Sequence, residues 1–462
     1  MICRGFIFII LSLISEVTVA SEPLPIRSIL IEGNEKTKDF VIKRELLFHE
    51  DSFYSYDESF EQLITLSQSR ITNLNLFNKV TILPEVDSTN HYEVCIKIVI
   101  RVVEKWYHWP IPFVEFSDRN FNVWGNLDFD PNRTNYGLYV FNYNLWGKNH
   151  TLKTKLKTGY NTKLGLEYRI PFLSESNNWG IKTLIDYSSQ NELWYETIND
   201  SLQFYKNGKN NLIKNTQASI EVSRRITPFT NIFISTQYQY DQIDSSVPTN
   251  DYLINNARSQ NTFKTQFRVE IDKRNNLFYP TEGSYLSADM TGFLWTNKSH
   301  AYNLRMGFKM QKFTKISSTI YTALSCHTQF NSNKNPPYSQ RKILGYQESI
   351  RGFEHYVVDG TSGLKGNAAI RFHTLKSNLS LPFIPFKNYQ ELPLNMYLEI
   401  YSDAGYVDYN FSNETNQLVN AFLYSGGLGL NTLFYNDRIL RLEYSLNSLK
   451  EHGFFVHFIK AI

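Results

Sequence analysis

"YGLYVFNYNLWGKNHTLKTKLKTGY", residues 136–160, carries the pattern on which the fold reading rests. In its second limb Leu152, Thr154 and Leu156 alternate with Lys153, Lys155 and Lys157. That period of two puts one kind of side chain on each face of a strand. Gly147-Lys148-Asn149 between the limbs is a tight turn, so the stretch predicts a hairpin. From Trp106 onward the pattern recurs in segments such as "KLGLEYRIPFL", "NIFISTQYQYD", "YNLRMGFKMQKF" and "RILRLEYSLNSL". With a first strand near "IPFVEF" and a last at "GFFVHFIKAI", the segments number about sixteen, an even count as single-chain bacterial barrels require.

Connection lengths alternate as well. "WGKN", "ITPFT" and "KIS" are tight, whereas "NELWYETINDSLQFYKNGKNNLIKN" and "DQIDSSVPTNDYLINNARSQN" are long and Asn-rich. Short turns on one side and long loops on the other are the habit of a transmembrane β-barrel. A soluble β-sandwich shares the period, but it would need about half as many strands per domain. Aromatics make up 15% of the chain, with 30 tyrosines and 33 phenylalanines, yet mean hydropathy is −0.36. Strands that show lipid an apolar face and a lumen a polar one produce both properties at once. After the N-terminus no apolar run approaches the length of a membrane-spanning helix, so any crossing is by barrel. Lysine plus arginine is 47 against 44 acidic residues, a net charge of +3 too balanced to suggest nucleic acid. The 10 histidines show no metal-ligand spacing and no Ser/His/Asp arrangement stands out. Neither an enzyme nor a cofactor or metal site is expected.

The N-terminus reads as a cleavable secretory signal over residues 1–20: Arg4, an apolar run Phe6–Ile14, then Thr18-Val19-Ala20. Only Cys95 and Cys326 remain after it, in different domains, which argues against a disulfide framework. Residues 21–104 read as a small α+β domain in the order β-α-α-β-β. A strand over Ile26–Ile31 ends at Gly33-Asn34. Thr37 is placed to cap a helix carrying Phe40, Val41, Leu46 and Leu47 on one face. A second helix presents Phe60, Ile64, Leu66 and Ile71, and two strands follow, the last alternating Val94, Ile96, Ile98 and Ile100. Residues 105–462 form the expected barrel.

"IEGN" after the first strand, "LFNKV" at the second and "VVEKW" at the exit make this domain resemble a POTRA domain, the periplasmic module of the BamA/TamA superfamily of outer-membrane assembly proteins. The barrel region resembles the same superfamily, also called the bacterial surface antigen family. "NYGLYVFNYNLWGKNHTL", with Asn144 and Gly147 at its turn, is similar to the early hairpin. "EIDKRNNLFYPTEGSYLS", with Asp272, Arg274, Pro280 and Gly283, is similar to the mid-barrel turn. "SIRGFEHY" and "YSDAGYV" resemble the loop-six and thirteenth-strand signatures. The chain is thus identified as a short member with a single POTRA domain.

The resemblance implies that loop six folds back into the lumen and that Arg351 pairs with Asp403. Gly352 would let the backbone turn closely and Phe353 would anchor the loop tip. Guanidinium binds carboxylate in a two-pronged way, and an unpaired lumenal charge is costly. The family's Glu-x-Arg-x-Pro at the end of the twelfth strand is replaced by Asn378-Leu379-Ser380-Leu381-Pro382, so Arg351 is expected to rest on Asp403 alone. At the C-terminus, Glu451, Gly453, Val456 and Phe458 fit an outer-membrane recognition pattern. Gly426, Gly427 and Gly429 are expected to serve curvature or close packing.

By resemblance the protein belongs in the outer membrane of a Gram-negative bacterium with its POTRA domain in the periplasm. Its partners are then lipid, unfolded outer-membrane or secreted clients and periplasmic or lipoprotein accessory proteins. Its function would be insertion or translocation through a gate between the first and last strands, about 111–117 and 453–461. Two alternatives stand beside it. A dedicated two-partner-type secretion pore usually has two POTRA domains and a plug helix, and a passive channel needs no POTRA domain or loop six.

Overall fold

The computed structural model describes residues 23–55, 57–87, 94–116, 130–207, 211–248, 251–296, 301–383, 390–434 and 438–460. The expected signal segment lies outside them. Two bodies follow one another along the chain, a small α+β domain and a large sheet.

The small domain comprises β1 (Leu24–Glu32), α1 (Asp39–Lys43), β2 (Phe53–Tyr54), α2 (Glu58–Asn73), β3 (Phe77–Asp87) and β4 (Cys95–Glu104). Its sheet runs β2-β1-β4-β3, with β1 parallel to β4 and β4 antiparallel to β3. The period-two residues Ile96, Ile98 and Ile100 are fully buried against Phe60, Ile64 and Ile71 of α2. Asp57 caps α2, its carboxylate accepting the N–H groups of Ser59 and Phe60 at 2.9 and 3.1 Å.

Four details differ from the sequence reading. Thr37 is not a cap: α1 starts after Lys38 without a side-chain cap, and the Thr37 hydroxyl donates instead to the Glu104 carboxylate at 2.5 Å. α1 ends at Lys43, so Leu46 and Leu47 lie beyond it, although Leu46 still reaches the core. Leu66 and Val94 are exposed, and α2 spends its inward face on Ser67 and Arg70 as well as apolar groups. A short β2 was not foreseen.

The barrel begins with β5 (His108–Phe116), β6 (Thr134–Leu145), β7 (His150–Gly159), β8 (Asn161–Ile170) and β9 (Trp179–Gln190). A separate hairpin, β10 (Leu193–Ile198) and β11 (Ser201–Tyr205), rises from the next connection. The wall resumes with β12 (Ile213–Thr227), β13 (Thr230–Ile243), β14 (Ser259–Asp272), β15 (Gly283–Trp295), β16 (Ala301–Lys315) and β17 (Ile320–Asn331). A long connection holding β18 (Lys342–Leu344) and β19 (Val358–Asp359) precedes β20 (Ser362–Ser380), β21 (Glu391–Asp408), β22 (Leu423–Phe434), β23 (Arg438–Asn447) and β24 (His452–Lys460).

Sixteen of these form one sheet in which every neighbouring pair is antiparallel, and β5 and β24 are its two edges. The architecture expected from the sequence is therefore present. Along β21 the inward positions Tyr397, Glu399, Tyr401 and Asp403 are buried, while Leu398 and Ile400 are exposed. This inverts the habit of a soluble protein and is what a lipid-facing wall around a polar lumen requires. The wall is uneven. β20 and β21 have 19 and 18 residues, whereas β5 and β24 have 9 each.

Candidate functional site

The connection between β17 and β20, residues 332–361, folds inward rather than away from the barrel. Its Ile343, Leu344, Ile350, Phe353 and Val358 pack with Val407, Tyr409 and Leu423 of the β21–β22 region in one buried apolar cluster. Anchored there, Arg351 meets the inner wall. Its Nε and Nη2 donate to the two oxygens of Asp403 at 2.9 and 2.7 Å, and its backbone N–H donates to the same carboxylate at 3.2 Å. Nη1 donates to Glu399 at 2.6 Å and to Glu443 at 3.3 Å, and the guanidinium lies 3.6 Å from the centre of the Tyr401 ring. Gly427 makes room for that ring, since a Cβ there would come within 2.5 Å of the Tyr401 hydroxyl.

Arg351 therefore does not rest on Asp403 alone, which corrects the expectation drawn from Asn378. That residue lies near the end of β20, opposite Pro393 and exposed, well past the cluster. The second carboxylate comes from Glu399, two positions inward-facing from Asp403 on the same strand, and the third from Glu443 on β23. The signal was available: Glu399, Tyr401 and Asp403 alternate in "LEIYSDAG" and must share a face. What sequence did not reveal is which distant arginines they meet. Arg371 of β20 also donates to Glu399, at 2.7 Å, so one buried carboxylate bridges two guanidinium groups.

The loop tip touches the last two strands and the turn between them too. Gly352, at φ +84°, is pressed against the wall, and a Cβ would lie 3.1 Å from that of Ser445. Its carbonyl accepts from Asn447 at 2.8 Å, and the Tyr356 hydroxyl donates to Glu451 at 2.7 Å. His457 of β24 sits between Glu443 and Glu354, at 3.4 and 3.9 Å. Burial raises the Glu354 carboxyl to about 7, with the Glu443 charge adding to the rise. Nearby Glu348 moves the other way. Burial alone would raise it, but Lys365 and Lys309 hold it down at about 2.

The remaining motif residues lie elsewhere. Asn144 and Gly147 form the β6–β7 turn, both at positive φ, and dock the small domain. Asn144 donates to the Thr37 hydroxyl at 2.8 Å and the Gly147 carbonyl accepts the Lys38 N–H at 2.9 Å. Asp272 holds Arg274 through two bonds of 2.9 and 2.6 Å at the start of the β14–β15 turn. Gly283 closes that turn at φ +103°. The turn links both bodies. Asn73 of α2 donates to the Arg274 carbonyl and accepts the Leu277 N–H, while the Pro280 carbonyl accepts from Arg371 at 2.8 Å. Of the C-terminal residues, Gly453 underlies the Phe455 ring, and Val456 and Phe458 face outward.

The Omp85 superfamily domain matches residues 144–433, more than half of the chain. The chain belongs to the Omp85 superfamily. The surface antigen variable number repeat, a POTRA domain, matches residues 24–105 of this Omp85 protein. Among solved structures, BamA from Haemophilus ducreyi lacking POTRA domains 1–3 superposes with a TM-score of 0.52 at 15% identity, over 95% of this chain and 85% of that one. That likeness establishes the fold. CdiB from Acinetobacter baumannii is similar at a TM-score of 0.49 and 12% identity, over 94% of this chain and 73% of that one. No curated protein sequence matches the chain. Membership in this family supports a role in outer-membrane protein insertion or secretion in general.

Proposed function

We propose that this Omp85 protein lies in the outer membrane of a Gram-negative bacterium, with its POTRA domain in the periplasm, and inserts client proteins through a lateral seam between β5 and β24. The observation that carries this reading is the seam itself. The sixteen-stranded sheet ends at β5 and β24, and no backbone ladder joins the two among the described residues. Among the described residues both edges are 9 residues long, and a short apolar wall thins the bilayer beside it. An extended client segment satisfies its backbone groups by joining such an edge, which lipid cannot do for it.

Loop six occupies the lumen through the Arg351 cluster, which speaks against a passive channel. In this reading Arg351, Gly352, Phe353 and Asp403 are the latch that fixes the loop, and the turns around Asn144 and Arg274 seat the POTRA domain below the wall. Gly453, Val456 and Phe458 serve the protein's own delivery to the membrane. Accessory proteins dock on the POTRA domain. The test is depletion of the protein in its host with quantitative proteomics of purified outer membranes. A broad fall in barrel proteins is expected. Loss of a single surface or secreted protein with barrels intact would replace insertion by dedicated export.

A further inference from the structure

Between α2 and the inner wall lies a cavity of about 340 Å³ whose lining includes no residue of loop six or of the seam strands. Leu66 and Arg70 of α2 form one side, and Arg169 of β8, Lys182 of β9, Arg225 of β12 and Phe229 form the other. Most of the charges there are matched. Glu45 accepts from Arg70 and Arg225 at 2.6 and 2.8 Å. Glu221 meets Lys182 at 3.4 Å and Arg268 at 3.5 Å, Glu270 meets Arg268 at 3.1 Å, and Asp272 holds Arg274.

Arg169 is the exception. Strand alternation turns it inward, where it is exposed to the cavity and stands directly opposite Lys182 in the β8–β9 register. Like charges so placed are destabilising, and Arg225 repels it as well. No carboxylate lies within 4.0 Å of its guanidinium among the described residues. Glu221, Glu167 and Glu270 act on it from farther off, and each is engaged by another cation. The Arg225 Nε is likewise buried without an acceptor among the described residues. The same space has an apolar half. Leu66, which keeps the helical period of α2 but misses the POTRA core, lines it beside Phe229, and the Arg70 guanidinium lies 5.3 Å from the centre of that ring.

The geometry points to a binding site for the free C-terminus of a polypeptide that ends in an apolar residue. Its terminal carboxylate sits on Arg169 and its last side chain against Leu66 and Phe229. Guanidinium takes a carboxylate through two parallel bonds, and such a ligand would relieve the repulsion from Lys182 and Arg225. The volume is at the small end for ligand pockets and holds roughly one or two residues, so anion and apolar group must belong to the same residue. Within a polypeptide only the last residue combines them. The inference rests on the reading that the protein handles client chains, and it holds whichever way those chains leave.

The experiment uses the full chain in liposomes. The probe is an acetylated glycine-serine peptide ending in photo-reactive benzoylphenylalanine, made with a free terminal carboxylate or with a carboxamide. Labelled residues are read by mass spectrometry after irradiation. The acid should label the cavity wall at Leu66 or Phe229, and the amide on the order of tenfold less, as the loss of one charge-assisted pair implies. R169Q should bring the acid down to the level of the amide, and R169K should keep part of the difference. L66S should weaken both peptides alike. The heat-dependent gel mobility of the barrel checks that each variant has folded. Equal labelling by acid and amide, labelling elsewhere, or no response to R169Q overturns the inference. So does a cavity that takes dihexanoyl phosphatidic acid but not the acid peptide, which would assign the site to lipid. None of these touches the client-handling reading, which depletion and outer-membrane proteomics test separately.

Discussion

The POTRA core and the barrel lumen are both buried, yet they are held by opposite chemistry. In the small domain Ile26, Ile96, Ile98, Ile100 and Phe60 exclude water from one continuous apolar core. In the lumen the buried positions around loop six are Asp403, Glu399 and Glu443 against Arg351. The first arrangement is non-directional and tolerant of rearrangement, because apolar packing depends on area and shape. The second is directional and all-or-nothing, because a buried carboxylate that loses its partner keeps the desolvation cost. A loop that must sit in one place inside a wide polar lumen is better fixed by the second.

The sharpest way to break this comparison is R351A. It leaves three buried carboxylates without their shared cation and should cost about 3–5 kcal/mol, read as a lower denaturant midpoint for the barrel in detergent. Adding D403N to R351A should recover part of the loss, since Asp403 pairs with Arg351 alone among the described residues while Glu399 keeps Arg371; if it does not, shape rather than charge holds the loop. Next is I98A, a fully buried side chain in the POTRA core. It should cost about 3 kcal/mol by transfer and cavity terms and lower the POTRA transition of the full chain, leaving the barrel transition in place. A shift of both would show that the two bodies unfold as one.

E45Q probes the boundary between them. Glu45 is buried and pairs with Arg70 at 2.6 Å within the domain and with Arg225 of β12 at 2.8 Å, and Arg70 also donates to the Pro228 carbonyl. Weakening these charged bonds should cost about 2 kcal/mol and increase cross-linking heterogeneity between POTRA and barrel. D57A removes the cap of α2 and should lower the POTRA transition alone, by less than E45Q does. The smallest effect is that of pH on loop six. The Glu354 carboxyl is raised from 4.5 to about 7 in the folded protein, so between those values the folded state binds more protons. Stability of the docked loop must then fall as pH rises through that window. Protease protection of the loop should decline from pH 5 to pH 8, and E354Q should flatten the profile.

Legibility followed the same division. Period-two and near-helical apolar spacing gave the strands and α2 because each needs only a local pattern and a buried face. Sixteen wall strands were countable for that reason. The exceptions were local competitions: Thr37 looked like a cap but its hydroxyl donates to Glu104 and accepts from Asn144 instead, and Leu66 kept the helical period while the face it lies on turned to solvent. The pairing of Arg351 with Asp403 was approachable only through motif resemblance. Its contacts to Glu399 and Glu443 were out of reach, since they span 48 and 92 residues and depend on how the sheet curls.

The most direct test of the account is to shut the seam. A variant with V114C on β5 and F454C on β24, in a background lacking Cys95 and Cys326, can be joined by a short bis-maleimide linker and assayed for insertion of newly made barrel proteins into outer-membrane vesicles. The account predicts that linking abolishes insertion while the unlinked double variant and each single variant remain active. Full activity of the linked protein would contradict it, because clients would then be passing through the lumen and not through the wall.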